Sequence, residues 1–310
     1  MAMITNVFID GSAGTTGLRI AERLAARRDL NLICLPEALR KNPAARKEAI
    51  NSADIVFLCL PDDAAREAVA LVSNPRVKII DTSTAHRTAP GWVYGFPELA
   101  GQREKLAAAT RIANPGCHAS GFVALVAPLV QQGILEPGAL LSCFSLTGYS
   151  GGGKKMIAAY EDSARSALLD APRQYGLTQQ HKHLKEMKAL CALENEPVFC
   201  PIVGDFYSGM EVTVPLFVRQ VNGTADDIRD VYRTYYTDGL VRFTETPDSD
   251  GLLSAAALAG RDDMEISVFG NDTRILLTAR FDNLGKGASG AAIQNLNILL
   301  GIDQAMGLNV

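Results

Sequence analysis

A cysteine placed to act as a nucleophile lies in the run Asn114-Pro115-Gly116-Cys117-His118-Ala119-Ser120-Gly121-Phe122. Pro115 disfavours helical geometry at Asn114, and Gly116 tolerates a tight bend, so the chain is expected to turn sharply here. The apolar run over 122–130 then predicts a helix that opens at or near Cys117. A thiol at that place lies against the positive end of the helix dipole, which favours the reactive thiolate. Backbone N–H groups of the same turn could hold the oxyanion formed when sulfur attacks a carbonyl. These residue types in this order point to attack on an acyl carbon.

A second group is Thr178-Gln179-Gln180-His181-Lys182-His183-Leu184, ahead of a helix marked by Leu184, Met187 and Leu190. Two histidines two positions apart share a face if the segment is extended. They could chelate a metal, but the only other histidines are His86 and His118, and no third ligand is evident, so no metal is expected. Service as a base for the cysteine is the more economical use. A third group, Thr147-Gly148-Tyr149-Ser150-Gly151-Gly152-Gly153-Lys154-Lys155, reads as a mobile, anion-friendly loop with two cations. Ser150 and Lys154 in it are candidate substrate contacts.

These residues need elements to position them. Asn6-Val7-Phe8-Ile9-Asp10 reads as a buried strand that runs into Gly11-Ser12-Ala13-Gly14-Thr15-Thr16-Gly17. Leu18, Ile20, Ala21 and Leu24 follow at helical spacing. Strand, glycine turn and helix make the context of a dinucleotide fingerprint, here spaced Gly-x-x-Gly-x-x-Gly. The glycines let the backbone approach a pyrophosphate whose charge the helix N-terminus holds. Residues 30–35 read as a second strand, followed by Pro36, Glu37, Arg40 and Lys41. Glu37 is at a plausible distance for a ribose, whereas the basic pair could meet a 2′-phosphate, which favours NADP. Residues 54–61 and 77–81 read as further strands, with a helix over 64–72 between them, so the pattern predicts a parallel, doubly wound α/β sheet. Ligands of such sheets sit beyond the carboxyl ends of the strands, which places Leu60, Pro61 and Ser83 near a cofactor and Arg87 near a substrate. Arg111-Ile112-Ala113 brings Cys117 to the same kind of strand end.

Residues 140–146, 211–218 and 274–281 read as strands of a second, α+β domain with a mixed or antiparallel sheet. Asn283-Leu284-Gly285-Lys286-Gly287-Ala288-Ser289-Gly290 reads as another glycine-rich turn, with Asn283 a candidate cofactor contact. An apolar helix over 291–300 is expected to return to the first domain. The expected division is 1–116 plus 285–310 against 117–284.

Composition narrows the class. Hydrophobic content of 47% in 310 residues supports sizeable cores, and a net charge of −4 without a basic run gives no sign of nucleic-acid binding. The first residues carry no basic region and meet Asp10 early, unlike a signal peptide. No apolar run approaches the ~20 residues that span a membrane. Six cysteines without a Cys-x-x-Cys pair read as reduced thiols of the cytoplasm.

Taken together, the glycine turn at 11–17, Asn114-Pro115-Gly116-Cys117, Gly148-Tyr149-Ser150-Gly151-Gly152-Gly153-Lys154, His181-Lys182-His183 and the run 285–292 resemble the shorter form of the N-acetyl-γ-glutamyl-phosphate reductases. The motifs run along nearly the whole chain. That family is related to the aspartate-semialdehyde dehydrogenases and, more distantly, to the glyceraldehyde-phosphate dehydrogenases. The resemblance implies an NADP-binding Rossmann domain completed by the C-terminal helix, a central catalytic and oligomerisation domain, and a cytoplasmic homodimer or homotetramer. It implies Cys117 as nucleophile and a histidine base from the His181/His183 pair, with His183 favoured and His181 left for substrate. The expected reaction is reduction of a small-molecule acyl phosphate to an aldehyde through a thioester, with Arg87, Lys154 and Lys155 as candidates for the phosphate. Aspartate-semialdehyde dehydrogenase is the neighbouring alternative, but its cysteine generally follows Asn directly, without the intervening Pro115 and Gly116. A non-catalytic NADP-binding sensor would leave Cys117 inert, and an ordinary alcohol dehydrogenase does not explain the cysteine turn.

Overall fold

The computed structural model describes residues 4–248 and 250–310, which divide into two compact units. The first holds the described chain up to Phe96 together with Gly101–Pro115 and Ala291–Leu308. The second holds Pro97–Ala100, Gly116–Gly290 and Asn309–Val310.

In the first unit the strands are β1 Thr5–Asp10, β2 Leu30–Ile33, β3 Ile55–Leu58, β4 Lys78–Asp81, β5 Val93–Tyr94 and β6 Arg111–Ala113. They form one sheet in the order β2-β1-β3-β4-β6-β5, with every pairing parallel. Helices α1 Thr15–Ala25, α2 Pro43–Ser52, α3 Asp62–Ala70 and α4 Gln102–Ala108 connect them. The central strands are buried on both faces, which is why residues 55–58 read as an unbroken apolar run. On one face Val7, Ile9, Phe57 and Ile80 pack with Ile20 and Leu24 of α1 and with Ile293 and Leu296 of α9 (Gly290–Leu300). On the other, Phe8, Val56 and Leu58 pack with Ile50 of α2 and Ala65 and Ala68 of α3. The chain leaves β1 toward β2 on one side and toward β3 on the other, so the strand order reverses between β1 and β3. A crevice beyond their carboxyl ends is the ligand position of a doubly wound sheet.

The second unit is built on a mixed sheet of β7 Ser142–Gly148, β8 Arg173–Gln174, β9 Val198–Gly204, β10 Met210–Phe217, β11 Val241–Phe243, β12 Met264–Gly270 and β13 Arg274–Phe281. Its order is β11-β12-β13-β10-β7-β9-β8. The β7–β9 and β11–β12 pairs are parallel and the others antiparallel. Helices α5 Cys117–Gln131, α6 Gly153–Glu161, α7 His183–Leu190 and α8 Ala225–Tyr235 complete it. α5 is buried almost along its whole length, from His118 to Leu129. Gly121 is what lets it lie close to the sheet, because a Cβ there would stand 2.6 Å from Val212 Cγ2 and 2.9 Å from Phe281 Cε1. The opposite face of the sheet leaves Phe144, Val198, Phe217 and Leu276 exposed.

The segment read as a mobile loop is helical at its start, and the second glycine-rich turn is helical too. Tyr149–Gly152 is a 3₁₀ turn that leads into α6, and Gly285–Ser289 is a π-turn that leads into α9. Glycines weaken helices in isolation, but here Tyr149 N and Ser150 N donate to the Phe206 and Tyr207 carbonyls, and the side chain of Asp282 holds the start of the second segment. The Asp282 carboxylate accepts from the N–H groups of Leu284 and Gly285 at 2.6 and 3.0 Å, and its Oδ2 accepts from Ser208 Oγ at 2.8 Å.

Candidate active site

Cys117 is the first residue of α5 and Gly116 its N-cap, with extended backbone and no side-chain cap. The N–H groups of a helix's first turn lack partners within the helix. Gly116 is gripped on both sides. Its N–H donates to Glu186 Oε1 at 2.7 Å, and its carbonyl accepts from Ser120 N at 2.9 Å and Ser120 Oγ at 3.1 Å. Cys117 is half-buried, and Gly287 of the π-turn lies directly against it: a Cβ at Gly287 would stand 2.9 Å from Cys117 Cβ.

His183 is the first residue of α7 and is buried, while His181 is half-buried two residues upstream. Their rings meet edge to face, with centroids 4.7 Å apart. The backbone N–H of His183 donates to His181 Nδ1 at 3.2 Å. A neutral His181 ring therefore carries its proton on Nε2. The His118 ring lies 5.5 Å from His183 and 5.7 Å from His181, and Phe199 of β9 closes over His118 and His181. His118 Nδ1 joins Ser145 Oγ at 2.7 Å and its Nε2 joins the Tyr175 hydroxyl at 2.6 Å. Burial, with the neighbouring His181, pushes the His118 pKa down to about 3, so this imidazole stays neutral at physiological pH. Burial, with the charge of Cys117, raises the Tyr175 hydroxyl above its ordinary range and keeps it protonated. Among the described residues, no cluster of three or more His, Cys, Asp or Glu side chains is arranged to hold a metal.

Ser150 is buried, and its Oγ accepts from Asn283 Nδ2 at 3.0 Å. Asn283 is also buried, and its Oδ1 accepts from Gly209 N at 2.9 Å. These two side chains tie the 3₁₀ turn to the end of β13. Lys154 and Lys155 stand exposed in the first turn of α6. Lys286 of the π-turn is fully buried, and its Nζ donates to both carboxylate oxygens of Glu98, at 2.7 and 2.9 Å.

In the first unit, a cavity of about 550 Å³ opens beside the glycine turn, lined by Gly11, Ser12, Ala13, Leu60, Glu37, Arg40, Lys41 and Arg46 among others. The glycines fit a dinucleotide. Gly11 has φ +90°, and a Cβ there would stand 2.3 Å from the Cys59 carbonyl oxygen; a Cβ at Gly17 would stand 2.5 Å from the Gly11 carbonyl oxygen. Gly14 between them is exposed and caps α1, whose first residues Thr15 and Thr16 are half-buried. The first and third glycines thus serve the turn and the packing, and the middle one leaves backbone open to a phosphate. Arg46 donates to Asp10 Oδ2 from Nε and Nη2 at 3.0 and 2.8 Å, whereas Arg40 and Lys41 are exposed. Pro61 is exposed and caps α3. Ser83 is buried and its hydroxyl donates to Asp81 Oδ2 at 2.7 Å, an oxygen shared with His86 Nδ1 at 2.6 Å. Arg87 donates from Nε to the Asn114 carbonyl at 3.0 Å and from Nη2 to the Thr82 carbonyl at 3.2 Å, which ties the end of β4 to the cysteine turn's first residue.

Glu186, Tyr175, His118 and Lys286 were not singled out from the sequence. Glu186 carried a readable signal, since it stands three residues after His183 and so on the same helix face. Tyr175 reaches His118, and Lys286 reaches Glu98, only through tertiary packing.

Two family models match the chain: the semialdehyde dehydrogenase NAD binding domain over residues 6–109 and the semialdehyde dehydrogenase dimerisation domain over 117–283. The N-acetyl-gamma-glutamyl-phosphate reductase of Sinorhizobium medicae is 48% identical over 309 residues, covering 96% of this chain and 99% of that protein. The N-acetyl-gamma-glutamyl-phosphate reductase 2 of a Nostoc species is 47% identical, covering 97% and 98%. Among solved structures, aspartate semialdehyde dehydrogenase II of Vibrio cholerae matches with a TM-score of 0.71 at 16% identity, over 96% of this chain and 98% of that one. The aspartate semialdehyde dehydrogenase of Candida albicans, solved with NADP, matches at 0.65 and 14% identity over the same shares. At such identities the structural likeness speaks for the fold.

Proposed function

The chain belongs to the semialdehyde dehydrogenase family, within its N-acetyl-γ-glutamyl-phosphate reductases, and from that membership we propose that it reduces N-acetyl-γ-glutamyl phosphate to N-acetylglutamate 5-semialdehyde and phosphate with NADPH, in arginine biosynthesis. The observation that carries the reading is the pairing of helix starts: Cys117 opens α5 and His183 opens α7 within one unit.

Cys117 Sγ attacks the acyl carbon as His183 takes its proton, and first-turn N–H groups of α5 hold the oxyanion. The C–O bond to phosphate breaks, and a thioester forms on Cys117. NADPH, when bound, supplies the hydride that takes the thioester to the aldehyde level. As the carbon–sulfur bond then breaks, His183 returns the proton to sulfur. The bond from His183 N to His181 Nδ1 supports this division of labour, because it already engages one ring nitrogen of His181 as an acceptor. Arg87, Lys154 and Lys155 are the cations offered to the phosphate, and Ser150 anchors the 3₁₀ turn before α6. Gly11, Ser12, Ala13, Gly14, Thr15, Thr16 and Gly17 hold the cofactor's pyrophosphate, Leu60 and Pro61 border it, and Arg40 and Lys41 meet the 2′-phosphate. Ser83 acts as a support of the cofactor site through Asp81, and the side chain of Asn283 is committed to Ser150 and Gly209.

The protein works as a homodimer or homotetramer in the cytoplasm. The exposed sheet face of Phe144, Val198, Phe217 and Leu276 supports self-association, and six thiols without a disulfide support a reducing compartment. The test is a steady-state assay of N-acetylglutamate 5-semialdehyde with NADP and phosphate. Wild type turns over, Cys117→Ala keeps less than a few per cent, and aspartate semialdehyde is a poor substrate. Turnover that survives in Cys117→Ala excludes the covalent route.

A further inference from the structure

The nucleophile and its base start two different helices, so something must hold those helices in register. The helices meet through the rings of His118 and His183, and one buried side chain of α7 reaches the turn ahead of Cys117. Glu186 is 1% exposed and stands one helical turn after His183 in α7. Its Oε1 accepts from Gly116 N at 2.7 Å, at the N-cap of the cysteine helix. The Gly116 carbonyl is held in turn by Ser120 within α5. The peptide just before Cys117 is thereby fixed from two sides, once by its own helix and once by the histidine helix.

We propose that Glu186 is a positioning residue that clamps the Cys117 turn to the helix carrying His183, through acceptance of the Gly116 N–H. The Gly116 N–H is committed to Glu186 and so is not an oxyanion donor. A carboxylate is an unexpected choice beside a thiol that must ionise, because a nearby negative charge disfavours the thiolate. Its retention in a buried place is explained if the acceptor, rather than the charge, is what the turn needs. This inference rests on the covalent role of Cys117 proposed above.

Two variants separate acceptor from charge. Glu186→Gln keeps an acceptor oxygen and removes the charge; Glu186→Ala removes both. The charge effect is common to the two, so their difference isolates the clamp. The first readout is the second-order rate of Cys117 alkylation by iodoacetamide at one near-neutral pH, followed by peptide mass spectrometry. It needs no substrate, so it stands even if the proposed substrate fails. Glu186→Gln is expected to react at least as fast as wild type, and Glu186→Ala several-fold slower than Glu186→Gln. The second readout is the kcat and KM split with N-acetylglutamate 5-semialdehyde, NADP and phosphate. Glu186→Ala is expected to lose on the order of a hundredfold in kcat, the scale of a 1 Å misplacement, with KM little changed, and Glu186→Gln to recover most of it. Thermal unfolding of both variants checks that they fold. Equal alkylation rates and equal kcat in folded Gln and Ala variants would overturn the proposal, as would an Ala variant indistinguishable from wild type.

Discussion

Replacing Gly287 by Ala should cripple the enzyme without unfolding it. The added Cβ would stand 2.9 Å from Cys117 Cβ, 3.1 Å from the Asp282 carbonyl oxygen and 3.3 Å from Phe281 Cε2. Optimal carbon–carbon contact is about 3.5–4.0 Å, so the Cys117 contact is short by about 0.6–1.1 Å. The π-turn cannot easily retreat, because Gly287 N donates to the Asp282 carbonyl at 3.0 Å and the Asp282 side chain holds two more amides of the turn. The cysteine turn is anchored by Glu186 and Ser120. Something must still give, and the half-buried Cys117 is the least enclosed of the three neighbours. Overpacking of this kind costs about 1–3 kcal/mol in stability, which a chain of this size survives. A nucleophile displaced by close to 1 Å loses on the order of a hundredfold in kcat. The assay is steady-state oxidation of N-acetylglutamate 5-semialdehyde with NADP and phosphate, beside a thermal melt. A folded Gly287→Ala enzyme with kcat within threefold of wild type would refute the claim that the π-turn sets the position of the sulfur.

Other outcomes follow from the same geometry. Arg40→Ala with Lys41→Ala should lower kcat/KM for NADP by about 10- to 100-fold, the scale of lost charge-assisted hydrogen bonds, while activity with NAD changes little. Below about pH 6.5 the unfolded chain protonates His118, but the folded chain does not until about pH 3, so stability drains as the pH falls through that window. The slope is about 1.4 kcal/mol per pH unit for this group, and thermal melts of His118→Gln between pH 4 and 7 should decline less steeply than those of wild type. Lys286→Met leaves the Glu98 carboxylate buried without its ion-pair partner, which should cost about 3–5 kcal/mol and lower Tm on the order of 10 °C. A Tm within 2 °C of wild type, as the threshold set against that ~10 °C shift, would contradict the assignment of that pair to the core.

Much of this architecture is written locally in the chain. The glycine turn at 11–17 was legible because its spacing dictates backbone geometry, and β13 was legible because its first half, residues 274–277, alternates in burial. The start of α5 at Cys117 followed from the Pro115 and Gly116 chemistry. Short strands such as β5 and β8 gave no periodic signal, being two residues each. The segment 149–152 was misread as a loop because its glycines argue against helix, and the group that holds it, Asn283, is distant in sequence; the glycine-rich turn at 285–289 is held by the nearby Asp282 side chain. The same limit hid Tyr175, which enters the site from the end of an edge strand to meet His118.

The central claim is that Cys117 carries the acyl group. It is tested most directly by mixing enzyme with N-acetylglutamate 5-semialdehyde and NADP in the absence of phosphate, then quenching in acid for peptide mass spectrometry. The account predicts a burst of NADPH of about one equivalent per chain and an N-acetylglutamyl adduct on the peptide containing Cys117, discharged when phosphate is added. A burst without an adduct, or an adduct on any other residue, would contradict it.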